Sequence, residues 1–391
     1  MKILQIFNRY LERGGEEIVI ERMTPLLRSR HEVNDVFFAS EEWTRPGAPG
    51  RVGQALRMFW NRDALRVLEA ADREFRPDVW IVHNVYPVAS AAVYRLARSL
   101  GRPVVHYGHN YRPFSVNGYL WDGSRALDPG WPGAYLRETL GGAWQGSRVK
   151  TGWFACVLSA ARALGWYDHV ARWVAISGHV GMCYREAGID PERIAVLRHF
   201  HPVRPWKESG EDAGYFLYLG RLSREKGVAF LLDVWREWGA GAPELVMAGD
   251  GPLRGEVEAA ARSGGVRWAG RVGLEERDRL IRECRAVVVP SLWAEALGMV
   301  VYEAYEWGKP VLAARSGGLT ETVEPGVTGW LHSPGSGNEL VEQVRQLACD
   351  PARAAGMGRA GRSWLEREAS PAAWQEAMDR ILSDAVDRPA D

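Results

Sequence analysis

Short apolar runs alternate with longer amphipathic ones along the whole chain, and this alternation restricts it to βα units built around parallel sheets. In the first half the strand-like runs are Lys2–Phe7, Val33–Phe38, Val79–His83, Pro103–Tyr107, Trp173–Ile176 and Ile194–Leu197. Helical periodicity occupies Gly15–Arg30, Ala55–Phe75, Ala89–Leu100, Val149–Tyr167 and Val180–Ala187. In the second half, strands at Tyr215–Leu219, Glu244–Ala248, Val266–Trp268, Ala286–Val289 and Pro310–Ala313 alternate with helices such as Gly227–Glu237 and Leu253–Ser263. The rhythm breaks at His201–Asp212, where prolines, a glycine and charges fall together. A chain of 391 residues is too long for one ordinary domain. The expectation is an α/β protein of two Rossmann-like, doubly wound domains, 1–203 and 204–365, facing across a cleft, followed by a last helix. Ligands of such sheets bind beyond the carboxyl ends of the strands. Phe114–Gly142, rich in Gly, Pro and Trp and without a period, reads as a long functional loop or lid.

The formal charge is zero overall but unevenly placed: residues 1–200 hold 26 Lys+Arg against 20 Asp+Glu, and the remainder 23 against 29. A neutral total argues against nucleic-acid binding, which needs clustered cations. The basic first half leaves room for an anionic partner there. Cys156, Cys183, Cys284 and Cys349 match no metal template and suit a reducing compartment. The first residues turn polar too soon for a signal peptide, and no stretch reaches the roughly 18 apolar residues that span a bilayer. The cytoplasm is the expected location, with peripheral attachment to the inner face of the cell membrane as its variant.

Four motifs sit just after strands. In Tyr218-Leu-Gly-Arg-Leu-Ser-Arg-Glu-Lys-Gly227, Arg221 and Lys226 converge from one loop, as a pyrophosphate requires; the alternative is a charged surface loop. In Leu245-Val-Met-Ala-Gly-Asp-Gly-Pro-Leu253, Gly249, Asp250 and Gly251 make a turn that opens a helix and permits close backbone approach to a nucleotide. The stretch from Val289 to Pro310 places Glu295 in a loop and Glu303 about two turns into a helix, on a similar face. The backbone N–H groups of Ala296, Leu297 and Gly298 open that helix and suit phosphate. Glu303 has apolar neighbours, so it needs a partner. Ser316-Gly-Gly-Leu-Thr-Glu321 follows, its glycines free to approach a ligand.

Taken in order, Gly-Arg-Leu-x-x-Glu-Lys-Gly, Ala-Gly-Asp-Gly-Pro-Leu, Pro-Ser-x-x-x-Glu with a second Glu eight positions on, Gly-x-Pro-Val and Gly-Gly-x-x-Glu resemble the retaining GT-B glycosyltransferases of family 4, most closely over 215–331. In the first half, Gly14-Gly15-Glu16-Glu17 is by itself a turn and helix start, and resembles that family's glycine-rich loop. Gly15 would then approach donor phosphate, and Gly14 the acceptor. Gly108-His109-Asn110-Tyr111-Arg112 is similar to the element of relatives that build cell-surface polysaccharides. The resemblance implies contact of His109 with the transferred sugar, with His106 a competitor that packs on its strand, and acceptor contacts from Asn110, Tyr111 and Arg112. It also makes residues 366–391 a return helix on the first domain. Ala296-Leu297 depart from the family's usual Gly-Phe, and His199-Phe200-His201-Pro202 stands where an asparagine-containing turn is common.

The implied reaction moves a hexosyl unit from a UDP- or GDP-sugar to a saccharide or lipid-linked saccharide, with retention. Arg221, Lys226 and helix N-termini would stabilise the leaving diphosphate, Glu295 would hold the donor sugar and Glu303 the ribose. No metal and no cofactor beyond the nucleotide-sugar substrate is expected. An epimerase or a sugar phosphorylase on the same scaffold, or a non-catalytic nucleotide-sugar binder, are the alternatives; a dehydrogenase lacks its G-x-G-x-x-G. Arg51–Arg66 mixes arginines with Leu56, Met58, Phe59 and Trp60. It is either an ordinary helix with its apolar face in the core or a surface helix on an anionic membrane.

Overall fold

The computed structural model describes residues 1–11, 14–127, 133–205 and 212–388. The chain divides into two compact units. The first comprises Met1–Asp122, Leu127–His199 and Pro371–Asp391, and the second Gly123–Ala126 and Phe200–Ser370. Much of the predicted linker, residues 206–211, lies outside the described residues.

The first unit is a six-stranded sheet of β1 (Lys2–Arg9), β2 (Glu32–Ala39), β3 (Val79–Val82), β4 (Val104–Gly108), β5 (Val170–Ala175) and β6 (Ile194–Val196). Its helices are α1 (Gly15–Arg28), α2 (Arg51–Phe59), α3 (Arg62–Phe75), α4 (Ala92–Ser99), α5 (Gly133–Gly141), α6 (Arg148–Ala163) and α7 (Gly178–Glu186). The strand order is β2-β1-β3-β4-β5-β6 and every pairing is parallel. β3 is wholly buried, as a strand covered by helices on both faces must be. The order reverses between β1 and β3, so the loops leaving those two strands part there and open a crevice.

The second unit holds β7 (Phe216–Leu219), β8 (Leu245–Ala248), β9 (Val266–Gly270), β10 (Ala286–Val289), β11 (Val311–Ala314) and β12 (Gly329–His332). Its helices are α8 (Val228–Trp238), α9 (Arg254–Ser263), α10 (Leu274–Glu283), α11 (Met299–Glu306), α12 (Leu319–Thr322), α13 (Gly337–Cys349) and α14 (Pro351–Glu368). The order β12-β11-β10-β7-β8-β9 reverses between β7 and β10. A side chain at Gly358 would lie 1.7 Å from the Gly308 carbonyl, so only glycine lets α14 press against the end of α11. Helix α15 (Pro371–Asp387) belongs to the first unit, where Trp374 Nε1 donates to Tyr107 Oη at 3.2 Å and Asp379 meets Arg30 at 2.6 Å.

Three expectations change. The helix expected over Ala55–Phe75 is two helices, because Asn61 accepts from the amides of Asp63 and Ala64 and caps a new one. Phe114–Gly142 is not a lid over its described length. It contains α5, and Ser115, Val116, Leu120 and Trp121 are buried; residues 128–132 lie outside the described part. Strand β12 had no counterpart in the periodicity, being four residues that begin at a glycine pressed on the Val311 carbonyl.

Candidate active site

In the second unit four loops meet beyond the ends of β7, β8, β10 and β11. The β7 loop is tied to the β8 loop by Leu222 N–H to Asp250 C=O at 2.9 Å and Leu253 N–H to Leu222 C=O at 2.9 Å. It is tied to the β10 loop through the Glu225 carbonyl, which accepts from the amides of Leu292 (2.9 Å) and Trp293 (3.2 Å). The β10 and β11 loops are joined by Gly318 N–H to Glu295 C=O at 2.7 Å and by the Ser316 hydroxyl on the Trp293 carbonyl at 2.5 Å. This convergence accounts for the glycines. A Cβ at Gly249 would lie 1.9 Å from the Gly220 carbonyl oxygen, one at Gly251 2.5 Å from that of Leu222, and one at Gly317 2.2 Å from that of Glu295. Each of the three also has a positive φ. They are therefore demanded by neighbouring backbone, where sequence reasoning gave them to a ligand.

Glu295 is 5% exposed, and its Oε1 accepts from Lys226 Nζ at 2.6 Å, Ser291 Oγ at 2.6 Å and Trp293 Nε1 at 3.0 Å. Lys226 also lies 4.9 Å from the Trp293 ring centroid. Lys226 and Glu295, expected to serve diphosphate and sugar separately, are thus an ion pair whose two halves come from the loops at the order reversal. Arg221 is exposed on the same β7 loop, as is Asp250 on the β8 turn, where its carboxylate accepts from the Gly251 amide at 2.8 Å. Ala296 and Leu297 are buried and precede α11, which begins only at Met299 with Gly298 as its left-handed N-cap. Among the described residues the amides of 296, 297 and 298 donate to no backbone carbonyl. Glu303 has the partner that its apolar neighbours required: Arg277 of α10, at 2.9 Å. The two glutamates are held by different elements, Glu295 by the β7 and β10 loops and Glu303 by α10. Ser291, Trp293 and Arg277 were missed; the first two stand inside the quoted motif, and Arg277 carried no signal.

At the order reversal of the first unit, the loop after β1 meets the loops after β3 and β4. Tyr10 Oη donates to Glu16 Oε2 at 2.8 Å, and Asn110 Nδ2 reaches the same oxygen at 3.3 Å. Burial, set against the Tyr10 hydrogen bond and the charge of Arg112, lifts the Glu16 carboxyl from 4.5 to about 7. Arg112 donates to Asn84 Oδ1 at 3.4 Å and covers the Tyr10 ring at 5.9 Å. Tyr111, expected at the acceptor, is 1% exposed with its ring edge-on to His179, so it supports the loop from inside.

His109 Nε2 lies 2.9 Å from His83 Nδ1, and among the described residues the buried His109 Nδ1 has no hydrogen-bond partner. Burial lowers His83 and His199 to about 3 and takes His109 well below its usual range, which favours the uncharged form of each ring. His106 sits on its strand under the Tyr94 hydroxyl at 2.7 Å. Of the paired histidines at the boundary, His199 stacks on Tyr107 in the first unit, and His201 binds Glu306 at 2.9 Å in the second. His83 was read only as a strand end, although the end of a strand at a reversal of order was the place to look.

Gly14 and Gly15 differ from the glycines of the second unit. A side chain at either would meet no described atom within 4 Å, and neither has a positive φ. Among the described residues nothing requires glycine at the mouth of α1. Among the described residues, no group of three or more His, Cys, Asp or Glu side chains is placed to hold a metal ion, and no helix is long and apolar enough to cross a membrane.

Residues 203–364 match the family described as Glycosyl transferases group 1. A sulfoquinovosyl transferase of Arabidopsis thaliana is 24% identical over 387 residues, covering 97% of this chain and 69% of that one. A 2-deoxystreptamine glucosyltransferase of Streptomyces kanamyceticus is 33% identical over 173 residues, covering 41% of this chain and only 42% of that one. Among solved structures, Anabaena HepE in complex with UDP superposes with a TM-score of 0.69 at 19% identity, covering 98% of this chain and 100% of that one. Sucrose-phosphate synthase of Thermosynechococcus elongatus does so with a TM-score of 0.70 at 16% identity, covering 98% of each. The two parallel six-stranded sheets are the GT-B fold, and residues 203–364 of it match the Glycosyl transferases group 1 family.

Proposed function

We propose that the protein is a retaining glycosyltransferase that moves a hexosyl unit from a nucleotide-sugar to a saccharide or lipid-linked saccharide acceptor. The observation that carries this reading is the Lys226–Glu295 pair at the order reversal of a group 1 domain, with Arg221 exposed on the same loop. A diphosphate arriving there is attracted by Arg221 and Lys226 and by the unshared amides of 296–298. As Lys226 turns toward phosphate, Glu295 is left to accept from sugar hydroxyls, with Ser291 and Trp293 still fixing one of its oxygens. Glu303, steadied by Arg277, is assigned to the ribose hydroxyls.

In the front-face course proposed for the transfer, the acceptor oxygen bonds to the anomeric carbon on the side from which the diphosphate leaves. The acceptor proton passes to a diphosphate oxygen, so no protein base is consumed. The charge of Arg221 and Lys226 does the stabilising, and metal independence is part of the proposal. In the first unit, His109 is assigned to the transferred sugar, and Gly14, Gly15, Asn110 and Arg112 to phosphate and acceptor. That no described atom and no positive φ calls for glycine at 14 and 15 supports that assignment. HepE is also described with UDP-glucose, which makes UDP-sugars the first donors to try. Thermal-shift screening against UDP-, GDP- and ADP-sugars, then product analysis with the stabilising donor, tests the reading. A donor that stabilises the protein and is turned over to an α-configured product from an α-configured donor is expected; no stabilisation by any of the three sinks it.

A further inference from the structure

The sequence offered one amphipathic stretch, Arg51–Arg66, as a membrane contact. Its aromatic half is not available for that. Met58 is buried, Phe59 stacks on Trp166 at 5.1 Å, and Trp60 packs on Trp166 beneath Arg95. The outward apolar surface lies elsewhere. Three helices of the first unit each present an exposed apolar pair at i and i+4: Val52 and Leu56 on α2, Leu136 and Leu140 on α5, Val149 and Trp153 on α6. All six are between 39% and 83% exposed.

The pairs are neighbours. Trp153 Nε1 donates to the Ala55 carbonyl at 3.0 Å, which fastens α6 to α2 next to Leu56. A Cβ at Gly152 would sit 3.2 Å from the Thr139 methyl, so α5 lies against the other flank of α6 next to Leu140. Single exposed apolar residues are ordinary, but a continuous face across three helices is not. Its rim is cationic. Arg51, Arg137, Arg148 and Lys150 are exposed around it, and neither α2 nor α6 contains an Asp or Glu.

We infer that this α2–α5–α6 face docks on an anionic lipid bilayer, its apolar pairs entering the headgroup boundary and its four cations meeting lipid phosphate. A second copy of the chain is the poorer occupant, because it would bring the same cationic rim against itself. The inner side of α5 gives the contact a purpose. Tyr135 donates to the Pro113 carbonyl at 2.5 Å, and Glu138 accepts from Ser115 Oγ at 2.5 Å and the Val116 amide at 2.8 Å. The helix that would enter the bilayer thus holds the segment immediately following Asn110–Arg112. This purpose rests on the proposed transferase reading, and would bring a lipid-linked acceptor to those residues; the docking itself does not rest on it.

The test is co-sedimentation of the full chain with phosphatidylcholine vesicles, with and without phosphatidylglycerol, in the absence of nucleotide. Wild type should pellet with the anionic vesicles at low salt and be released by high salt. Val149→Asp and the pair Leu136→Ser, Leu140→Ser should each lose about tenfold or more in partitioning. Val67→Asp, an exposed apolar site on α3, should bind as wild type, and melting curves identify any variant that has not folded. Wild type remaining in the supernatant on anionic vesicles would overturn the inference. So would equal binding by Val149→Asp and Val67→Asp, or a wild-type dimer that Val149→Asp splits. Because no donor is present, loss of vesicle binding leaves the transferase reading standing, and failure of every nucleotide-sugar leaves this one standing.

Discussion

Replacing Gly317 by alanine separates two reasons for a glycine at a site: close approach of the chain to itself, or to a ligand. Gly317 has φ +55, which costs a non-glycine residue about 1–2 kcal/mol. Its new Cβ would stand 2.2 Å from the Glu295 carbonyl oxygen and 2.8 Å from the Glu295 nitrogen. Both are backbone atoms, so the β10 and β11 loops must part, a strain of about 1–3 kcal/mol by analogy with overpacked cores. The sum is about 2–5 kcal/mol, a large part of the ~5–15 kcal/mol that stabilises an ordinary domain. Gly326 provides the control, since its φ is +81 but a side chain there would meet nothing within 4 Å. Gly326→Ala should therefore cost only the backbone portion, about 1–2 kcal/mol. Thermal unfolding followed by tryptophan fluorescence should place Gly317→Ala roughly 3–10 °C below Gly326→Ala. Equal melting temperatures, with nucleotide binding lost only in Gly317→Ala, would refute the claim that the loops themselves demand this glycine.

Gly14→Ala makes the opposite case: with neither a positive φ nor a close atom, it should keep the wild-type melting temperature and lose turnover with the donor found by screening. Arg221→Ala should lower kcat by about 100-fold at unchanged stability. Lys226→Ala should lower kcat similarly and also cost about 1–2 kcal/mol in chemical denaturation, because it removes one of three donors from the buried Glu295. His109→Ala should lower turnover while leaving the thermal shift by nucleotide intact; loss of that shift would count against the assignment. In the second unit, burial would raise the Glu306 carboxyl, but the hydrogen bonds and charges of His201 and Arg204 outweigh it and hold the group at about 2 against an ordinary 4.5. A folded pKa below the unfolded one gives stability that is complete above pH 4.5 and is lost as the pH falls toward 2. Screening at half-exposed Arg204 reduces it to about 1–2 kcal/mol. Glu306→Gln should flatten the acid limb of the stability profile in that window, and an unchanged limb would contradict the pairing.

Much of the scaffold was legible because it depends on local period. Eleven of the twelve strands among the described residues were placed by apolar runs alone; β12 escaped because Gly329-Trp-Leu-His332 begins at a glycine and ends at a histidine, which leaves only two apolar residues in a row. The join within Ala55–Phe75 was missed for a different reason: Asn61 sits where the apolar spacing continues, and only its capping contacts reveal the break. The segment after Phe114 looked like a loop because its composition is that of loops, yet hydrogen bonds from Ser115 and Val116 to Glu138 fold it into the body of the unit. His83 was invisible as a site residue since nothing near it in sequence is unusual.

The chain's own letters therefore determined two parallel sheets and the order of motifs at their strand ends, since hydrophobic period and turn chemistry act over a few residues. Which groups those motifs bring together was decided only by the tertiary structure. Lys226 meets Glu295 across 69 residues, Arg277 meets Glu303 across 26, and His83 meets His109 across 26, each because strand order places particular loops, or the helices that follow them, side by side. The same packing decided which glycines the backbone requires and which apolar pairs remain outside, for both follow from what lies opposite a residue in space.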